Sequence, residues 1–328
     1  MALPPDVATR QRVDVRRLGV ALLGLASVAS LLAWVYGLGP FRTWFLLTGL
    51  PAAIALPSLG VVTRRRGPDG LRLALVAGAI GGIAGTIGYD VFRVPFVVSG
   101  LRLLAPIDSY GVLLLGADGS SSWTGFAGWA YHFSNGIGFG IAYACVALGR
   151  SWRWGVLWGL VLETATIVTP FADAYALRGK WDLIAIAYAA HLFYGAPLGI
   201  IVQRAVHSDR QRPLVLPAWV VLGGLLVVLL VWLRPGTVSP DDRAGRAVAP
   251  GPSAVVVAGR LHPEWSRVRP GQCVALLNRD KRPYPLPDGR TLPAGGRAEL
   301  CLNGTGVHRV RLSDAPYSGG FVLIDDQS

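Results

Sequence analysis

The pattern of apolar and polar positions divides the chain into two parts. Residues 18–233 form long apolar runs joined by short polar connections, whereas residues 253–328 form short apolar runs bounded by Gly, Pro and Asn. A helix needs about 20 mainly apolar residues to cross ~30 Å of hydrocarbon. The first part therefore predicts an α-helical polytopic membrane bundle of about seven transmembrane helices, at 18–38, 43–62, 73–92, 125–148, 155–171, 183–203 and 214–233.

Small residues recur one helical turn apart inside these runs. The pairs are Gly78/Gly82, Gly81/Gly85, Gly136/Gly140, Gly155/Gly159 and Gly195/Gly199. Such pairs let two helix backbones approach closely, where dispersion contacts replace contacts with lipid. We expect a tightly packed bundle.

Composition and charge support this class. Apolar residues make up 52% of the chain and charged residues 15%, which disfavours an ordinary soluble enzyme. Basic residues outnumber acidic ones by 31 to 19, and many of them fall in alternate connections, as the positive-inside rule requires of the cytoplasmic side. That side would hold the tail 1–17 and the residues Arg10, Arg12, Arg16, Arg17, Arg64, Arg65, Arg66, Arg72, Arg150, Arg153, Arg204, Arg210 and Arg212.

The location and one partner follow from this topology. We expect a multi-pass protein of the cell (inner) membrane, with the lipid bilayer as partner and no nucleic acid. An odd number of spans places everything after residue 233 outside the cytoplasm. The external loop 93–124 is semi-apolar and predicts a surface helix near 97–104 with a re-entrant segment at 110–115, serving as a lid or as a plain connector.

Five ionisable residues lie in or beside the predicted spans, where charge is costly and usually faces a cavity or a partner. They all fall toward the external side: Asp90, His132, Glu163, Asp173 and His191. His nitrogens and carboxylate oxygens are donors for zinc or another divalent metal. The same groups also suit a proton relay through Glu163 and His191, or structural pairing between helices. Glu163, His191 and Asp90 are the candidate catalytic residues.

The remaining chain predicts a linker at 234–252 and a small all-β domain at 253–328. Its candidate strands are 254–258, 272–278, 297–302, 307–312 and 320–324. Cys273 and Cys301 fall in two of them, on the oxidising side of the membrane, which predicts a disulfide. Closing a loop of this length stabilises a fold by roughly 3 to 4 kcal/mol.

Four segments of this domain resemble a cupredoxin, the plastocyanin-like β-sandwich. They are VRPGQCVALLNRD at 268–280, LPAGGR at 292–297, GTGVHRV at 304–310 and SGGFVLID at 318–325. The resemblance implies a blue-copper site of two His, one Cys and usually Met. Pro283 and Tyr284 stand where the first His is expected, and residues 312–319 contain no Cys, His or Met. We therefore expect a copper-free domain.

These features favour an integral membrane protein with an extracytoplasmic, copper-free cupredoxin-like domain, acting as a binding, assembly or metal-handling component. Basic residues on this domain suit a membrane surface or an acidic extracytoplasmic protein partner: Arg279, Lys281, Arg282, Arg309 and Arg311. An intramembrane hydrolase, using a metal or the carboxylate/His cluster at an outward-facing site, is the alternative. A proton-coupled transporter is a further alternative, although no inverted repeat is visible.

Overall fold

The computed structural model describes residues 15–65, 70–207, 217–233, 252–315 and 317–325. Most of the predicted tail 1–17 and linker 234–252, together with Arg66, Arg210 and Arg212, therefore lies outside the described residues. The helical part contains α1 Val15–Val35, α2 Phe41–Trp44, a π-helical turn Phe45–Gly49, α3 Leu50–Arg65, α4 Gly70–Val98, α5 Ala105–Leu115, α6 Ser122–Ala147, α7 Arg153–Val168, α8 Phe171–Ala174, α9 Trp181–His207 and α10 Ala218–Leu233.

Not every predicted span becomes a helix of membrane length and apolarity. Within the described ranges, four segments meet both conditions: Val15–Val35, Phe41–Thr63, Gly70–Val98 and Trp181–Val206. Helix α7 has 16 residues and so is short for a full crossing. Helix α6 has 26 residues, but His, Asn, Ser, Thr and several Gly dilute its apolar character. The predicted number of about seven transmembrane helices is therefore not confirmed.

The bundle packs through glycines, as the sequence predicts. A Cβ atom added to Gly82 of α4 would lie 2.5 Å from the carbonyl oxygen of Gly136 on α6. One added to Gly155 of α7 would lie 2.4 Å from the carbonyl oxygen of Gly195 on α9. Because backbone meets backbone at these crossings, the helices are held at their closest separation.

The loop between α4 and α6 differs from its prediction. Helix α4 continues through Pro95 to Val98, so no separate surface helix forms over 97–104, and the loop's own helix is α5 at Ala105–Leu115. A proline removes one helical hydrogen bond but does not end a helix whose neighbours support it. Helix α5 packs on α6 so closely that a Cβ on Gly111 would lie 1.7 Å from the carbonyl oxygen of Thr124.

The C-terminal part forms one curled, mixed β-sheet of six strands and a separate two-stranded sheet. Its strands are β1 Ser253–Val257, β2 Arg260–Val268, β3 Cys273–Asn278, β4 Tyr284–Pro285, β5 Thr291–Leu292, β6 Arg297–Cys301, β7 Gly306–Val310 and β8 Gly319–Ile324. Six of them follow the order β6-β3-β1-β2-β8-β7, and β4 pairs with β5. Pairs β1/β3 and β2/β8 are parallel, and the curl encloses one core that includes Val256, Leu261 and Leu276.

The predicted disulfide is present in this sheet. Cys273 and Cys301 are directly opposite in the antiparallel β3/β6 pair, with their Cα atoms 4.3 Å apart, and their sulfur atoms are bonded. The bond joins the edge strand β6 to the interior of the sheet. Cys145, in α6, is buried and outside any disulfide.

The β-domain rests on one end of the bundle, which we call the β-domain end. Trp265 of β2 donates from its indole N–H to the carbonyl oxygen of Ala174 at 2.9 Å, and Nη1 of Arg267 donates to the carbonyl oxygen of Gly100 at 2.7 Å. Tyr317 meets Trp34 of α1 edge to face, with ring centroids 4.6 Å apart. These contacts tie the sheet to three parts of the bundle.

The loop before α6 covers the edge of the sheet. Gly119 forms a β-bridge with His308 of the edge strand β7, and the backbone N–H of Ser120 donates to the carbonyl oxygen of Val307 at 2.8 Å. Arg311 donates to the carbonyl oxygen of Gly116 at 3.0 Å. An uncovered edge strand can pair with another chain, and the loop prevents this at β7. The same loop binds Arg311, which belongs to the predicted basic surface, to the bundle.

Candidate functional site

A cavity of about 480 Å³ lies inside the bundle, between helices α1, α4, α5, α6, α7 and α9 and the loops that carry Arg102 and Tyr175. Most of its wall is aliphatic or aromatic. The polar side chains in the wall include those of Thr86, Tyr89, Arg93, Arg102, Tyr110, His132, Asn135, Glu163, Thr166, Thr169, Tyr175, His191 and Tyr194. Its volume falls in the range of small-molecule sites, about 300 to 1,000 Å³.

Two of the predicted residues, Glu163 of α7 and His191 of α9, form a buried pair in this wall. Nδ1 of His191 lies 3.0 Å from Oε2 of Glu163, and the glutamate is 2% exposed. The glycine crossing of α7 and α9 makes this contact possible, since a Cβ on Gly159 would lie 2.3 Å from the carbonyl oxygen of His191. Close backbones bring the side chains of the two helices within contact distance of each other.

Two further predicted residues, Asp90 of α4 and His132 of α6, form a second pair. Nε2 of His132 lies 3.1 Å from each carboxylate oxygen of Asp90. Arg93, one turn beyond Asp90, contacts the same carboxylate and donates from Nη1 to the carbonyl oxygen of Leu103 at 2.9 Å. The arginine thereby joins α4 to the loop that closes the β-domain end.

Tyr89 separates the two pairs. Its ring centroid lies 4.9 Å from that of His191 and 6.1 Å from that of His132. The guanidinium carbon of Arg93 lies over the same ring at 4.3 Å. The two acid–imidazole pairs therefore flank one aromatic side chain, and both imidazoles line the cavity.

The fifth predicted residue, Asp173, stands apart from this cluster. It lies in the short helix α8 and pairs with Arg178 at 2.5 Å, where both side chains are substantially exposed. In the parts of the chain that the structure describes, no group of three or more His, Cys, Asp or Glu side chains is arranged to hold a metal ion. The zinc or other divalent site stays a prediction.

Two buried arginines belong to the cavity wall, although both fall in the predicted external loop 93–124. Arg93 is 7% exposed and Arg102 is 8% exposed. Arg102 donates toward the carbonyl oxygen of Tyr175, and its guanidinium carbon lies 5.0 Å from the ring centroid of Trp265. Both arginines lie in or just after the end of α4 that carries Asp90, and this proximity in sequence could have indicated that they belong to the site. The positive-inside count does not distinguish a buried arginine from an exposed one.

The β-domain turn at Asn278 is held by its own hydrogen bonds. Nδ2 of Asn278 donates to the carbonyl oxygens of Arg282 at 2.8 Å and Pro293 at 2.9 Å. Asp280 accepts from the backbone N–H groups of Ala258 and Gly259 and from the hydroxyl of Tyr284. These bonds, led by that from Tyr284, lower the pKa of Asp280. Tyr284 thus helps to hold this turn, through its hydrogen bonds with Asp280 and Arg282.

Known proteins resemble only the C-terminal part of the chain. A reduced-state amicyanin mutant is 13% identical, covers 24% of this chain and 87% of its own, and has a TM-score of 0.21. Amicyanin from Paracoccus versutus is 12% identical over 24% of this chain and 86% of its own, with a TM-score of 0.22.

A purple cupredoxin from Nitrosopumilus maritimus is 20% identical over 23% of this chain and 99% of its own, with a TM-score of 0.19. No family model matches the chain, and no curated protein matches it significantly. These similarities assign no activity or cofactor to this chain. The helical bundle resembles none of these cupredoxins, because they cover the C-terminal part alone.

Proposed function

We propose that this chain is a membrane-embedded binding protein that holds a small, largely apolar molecule inside the helical bundle. The observation that carries the proposal is the cavity of about 480 Å³, with apolar walls and a few convergent polar groups. That combination is typical of ligand sites, in which apolar walls supply affinity and placed polar groups fix orientation.

The β-domain supports the cavity rather than forming its wall. The described residues that line the cavity all come from the helical part, up to Tyr194 of α9. Trp265 and Arg267 hold the segments around Ala174 and Gly100, which adjoin the loops that close the cavity. In this proposal the copper-free β-domain is an assembly element that fixes those loops, and it transfers no electrons.

Photolabelling tests whether the cavity admits a ligand. The purified full chain, in lipid nanodiscs, is irradiated with a decane derivative that bears a terminal diazirine, and the modified residues are mapped by mass spectrometry. We expect label on cavity residues such as Leu162 and Ile186 as well as on lipid-facing residues. Ala187→Phe adds a ring to the cavity wall and should reduce cavity labelling several-fold without changing lipid-facing labelling.

The matched control is Ala185→Phe, on the same helix at a position outside the cavity wall. It should label like the unmodified protein. Label confined to lipid-facing residues in the unmodified protein, or equal cavity labelling in both variants, would refute the binding function.

A further inference from the structure

The Glu163–His191 pair leaves one carboxylate oxygen without a hydrogen-bond partner among the described residues. Nδ1 of His191 lies near two acceptors, Oε2 of Glu163 at 3.0 Å and the carbonyl oxygen of Ala187 at 2.9 Å. This nitrogen must therefore carry the proton, and Nε2 of a neutral imidazole is then an acceptor. Oε1 of Glu163 is buried and has no partner among the residues that the structure places.

An unpaired acceptor at this depth is costly. Glu163 is 2% exposed, so bulk water does not reach its carboxylate freely. A buried polar atom without a partner loses its hydration and gains nothing in return. Glu163 and His191 both line the cavity, although Oε1 itself is covered. After a rotation of the carboxylate, a ligand in the cavity could donate a hydrogen bond to Oε1 and replace the hydration that burial removed. A ligand that only accepts could not.

The charges in the cavity wall restrict the donor further. Arg93 and Arg102 bring two guanidinium groups to the wall, while Glu163 lines it and Asp90 pairs with Arg93. These two cations and two carboxylates balance formally. An ammonium ligand would add a third cation, and a carboxylate ligand would place a second anion beside Glu163. A neutral donor leaves the balance unchanged, and a buried unbalanced charge carries a large desolvation cost.

We propose, on the basis of the binding function above, that the ligand is a neutral alcohol or phenol with an apolar body, whose hydroxyl group donates to Oε1 of Glu163. The apolar body would occupy the wall that includes Leu25, Phe139 and Leu162. A hydroxyl is the smallest neutral group that supplies the missing donor. Long-chain membrane alcohols and short water-soluble alcohols share this chemistry.

Competition against the diazirine-decane label measures the ligand class. 1-Decanol and decyl methyl ether have similar apolar bodies, but only the alcohol donates. In the unmodified protein we expect 1-decanol to displace the cavity label at a concentration about tenfold or more below that of the ether, as a hydrogen bond to a charged group implies. 1-Decanol should also compete better than decylamine and decanoate. Running 1-butanol beside butyl methyl ether shows whether short soluble alcohols share the preference of membrane-resident ones.

Variants identify the atom responsible. Glu163→Gln turns one acceptor of the side chain into a donor at nearly constant size, so the preference for alcohol over ether should disappear. Thr164→Val is the matched control, because Thr164 is the exposed neighbour of Glu163 on α7 and contacts Tyr188. It should keep the preference.

The outcomes separate the two proposals. Equal competition by alcohol and ether in the unmodified protein, stronger competition by decylamine or decanoate, or an unchanged preference in Glu163→Gln would overturn the hydroxyl ligand while the binding cavity stands. Absence of any cavity label in the unmodified protein would overturn both. If Glu163→Gln does not fold, the hydroxyl ligand is still tested by the unmodified protein. The ratio of the alcohol and ether concentrations that displace its cavity label gives the result.

Discussion

Glu264 lies on β2 where the β-domain meets the bundle, and it is 6% exposed. Burial raises the pKa of this carboxyl to about 7, although a hydrogen bond with Tyr317 and the nearby charge of Arg260 act in the opposite direction. Asp173 of α8 raises the pKa further. Tyr317 in turn packs on Trp34 of α1, so the charge of Glu264 is coupled to the contact between the two parts of the molecule.

Stability should therefore depend on the protonation of Glu264. The ordinary pKa of a glutamate is 4.5 and the folded value is about 7, so the folded state binds the proton more tightly. This tighter proton binding stabilises the folded state by roughly 3 kcal/mol. The stabilisation is complete below pH 4.5 and is lost as the pH rises through about 7. We expect the thermal unfolding temperature of the full chain to fall between about pH 5 and pH 8.

Glu264→Gln keeps the shape of the side chain without its ionisation, and it should remove most of this pH dependence. The control is Glu299→Gln, an exposed carboxyl on β6. If the pH dependence of Glu264→Gln equals that of the unmodified protein, the ionisation of Glu264 is not its cause.

Single residues also show how much of the site could be predicted. Polar residues inside apolar runs stand out, and the pairs Asp90–His132 and Glu163–His191 join four of the five predicted residues. Asp173 lies at a helix end, where the nearby Arg178 is a partner that chain order alone does not reveal. Arg93 and Arg102 were missed because burial depends on tertiary packing, and hydropathy assigns arginine to the surface.

At the scale of elements, two of the differences between prediction and structure lie at prolines inside a helix and a strand. The span predicted at 73–92 ends before Pro95, but α4 continues past this proline to Val98. Strand β2 was not predicted, because Pro263 interrupts its sequence, but it pairs with β1 and β8. The five predicted strands were confirmed because each places apolar residues in the core of the β-domain and is bounded by turn residues. In both errors, neighbouring elements supplied the stabilisation that the local sequence lacks.

The glycine crossings of the bundle give an element-scale prediction. At Gly82 of α4, an added methyl group would lie 2.5 Å from the carbonyl oxygen of Gly136 and 2.8 Å from Cα of Ile137. Both are backbone atoms, so the helices would have to move apart. Gly82→Ala should lower the free energy of unfolding by about 1 to 3 kcal/mol, which thermal unfolding in detergent would detect.

Gly125 of α6 is the matched control, since a Cβ there meets nothing within 4 Å. Gly125→Ala should be neutral or slightly stabilising, because alanine is the better helix former. Equal destabilisation by both substitutions would mean that close helix packing does not explain the effect.

For the whole molecule, the directions of the helices place many basic residues of the helical part at the end opposite the β-domain. Helix α6 starts beside the Ser120–Val307 contact, and its 26 residues extend it about 39 Å away. Within the described ranges, the helix ends and connections on that far side include the basic residues Arg16, Arg17, Arg72, Arg150, Arg153 and Arg204. Of the basic residues at the β-domain end, Arg93 and Arg102 are buried. With those two buried, the exposed basic residues of the helix connections lie mainly at the end away from the β-domain.

This asymmetry predicts the orientation of the protein in the membrane. Positively charged connections stay in the cytoplasm, and a disulfide such as Cys273–Cys301 forms in an oxidising compartment. Both observations predict that the β-domain end lies outside the cytoplasm. A green fluorescent protein fused after Arg150 should fluoresce, and alkaline phosphatase fused after Ser328 should be active. The exchanged fusions should be silent, and an active phosphatase after Arg150 would contradict the orientation. In the predicted orientation the disulfide can form only after the β-domain has crossed the membrane, so a block of export should leave Cys273 and Cys301 as free thiols in alkylation assays.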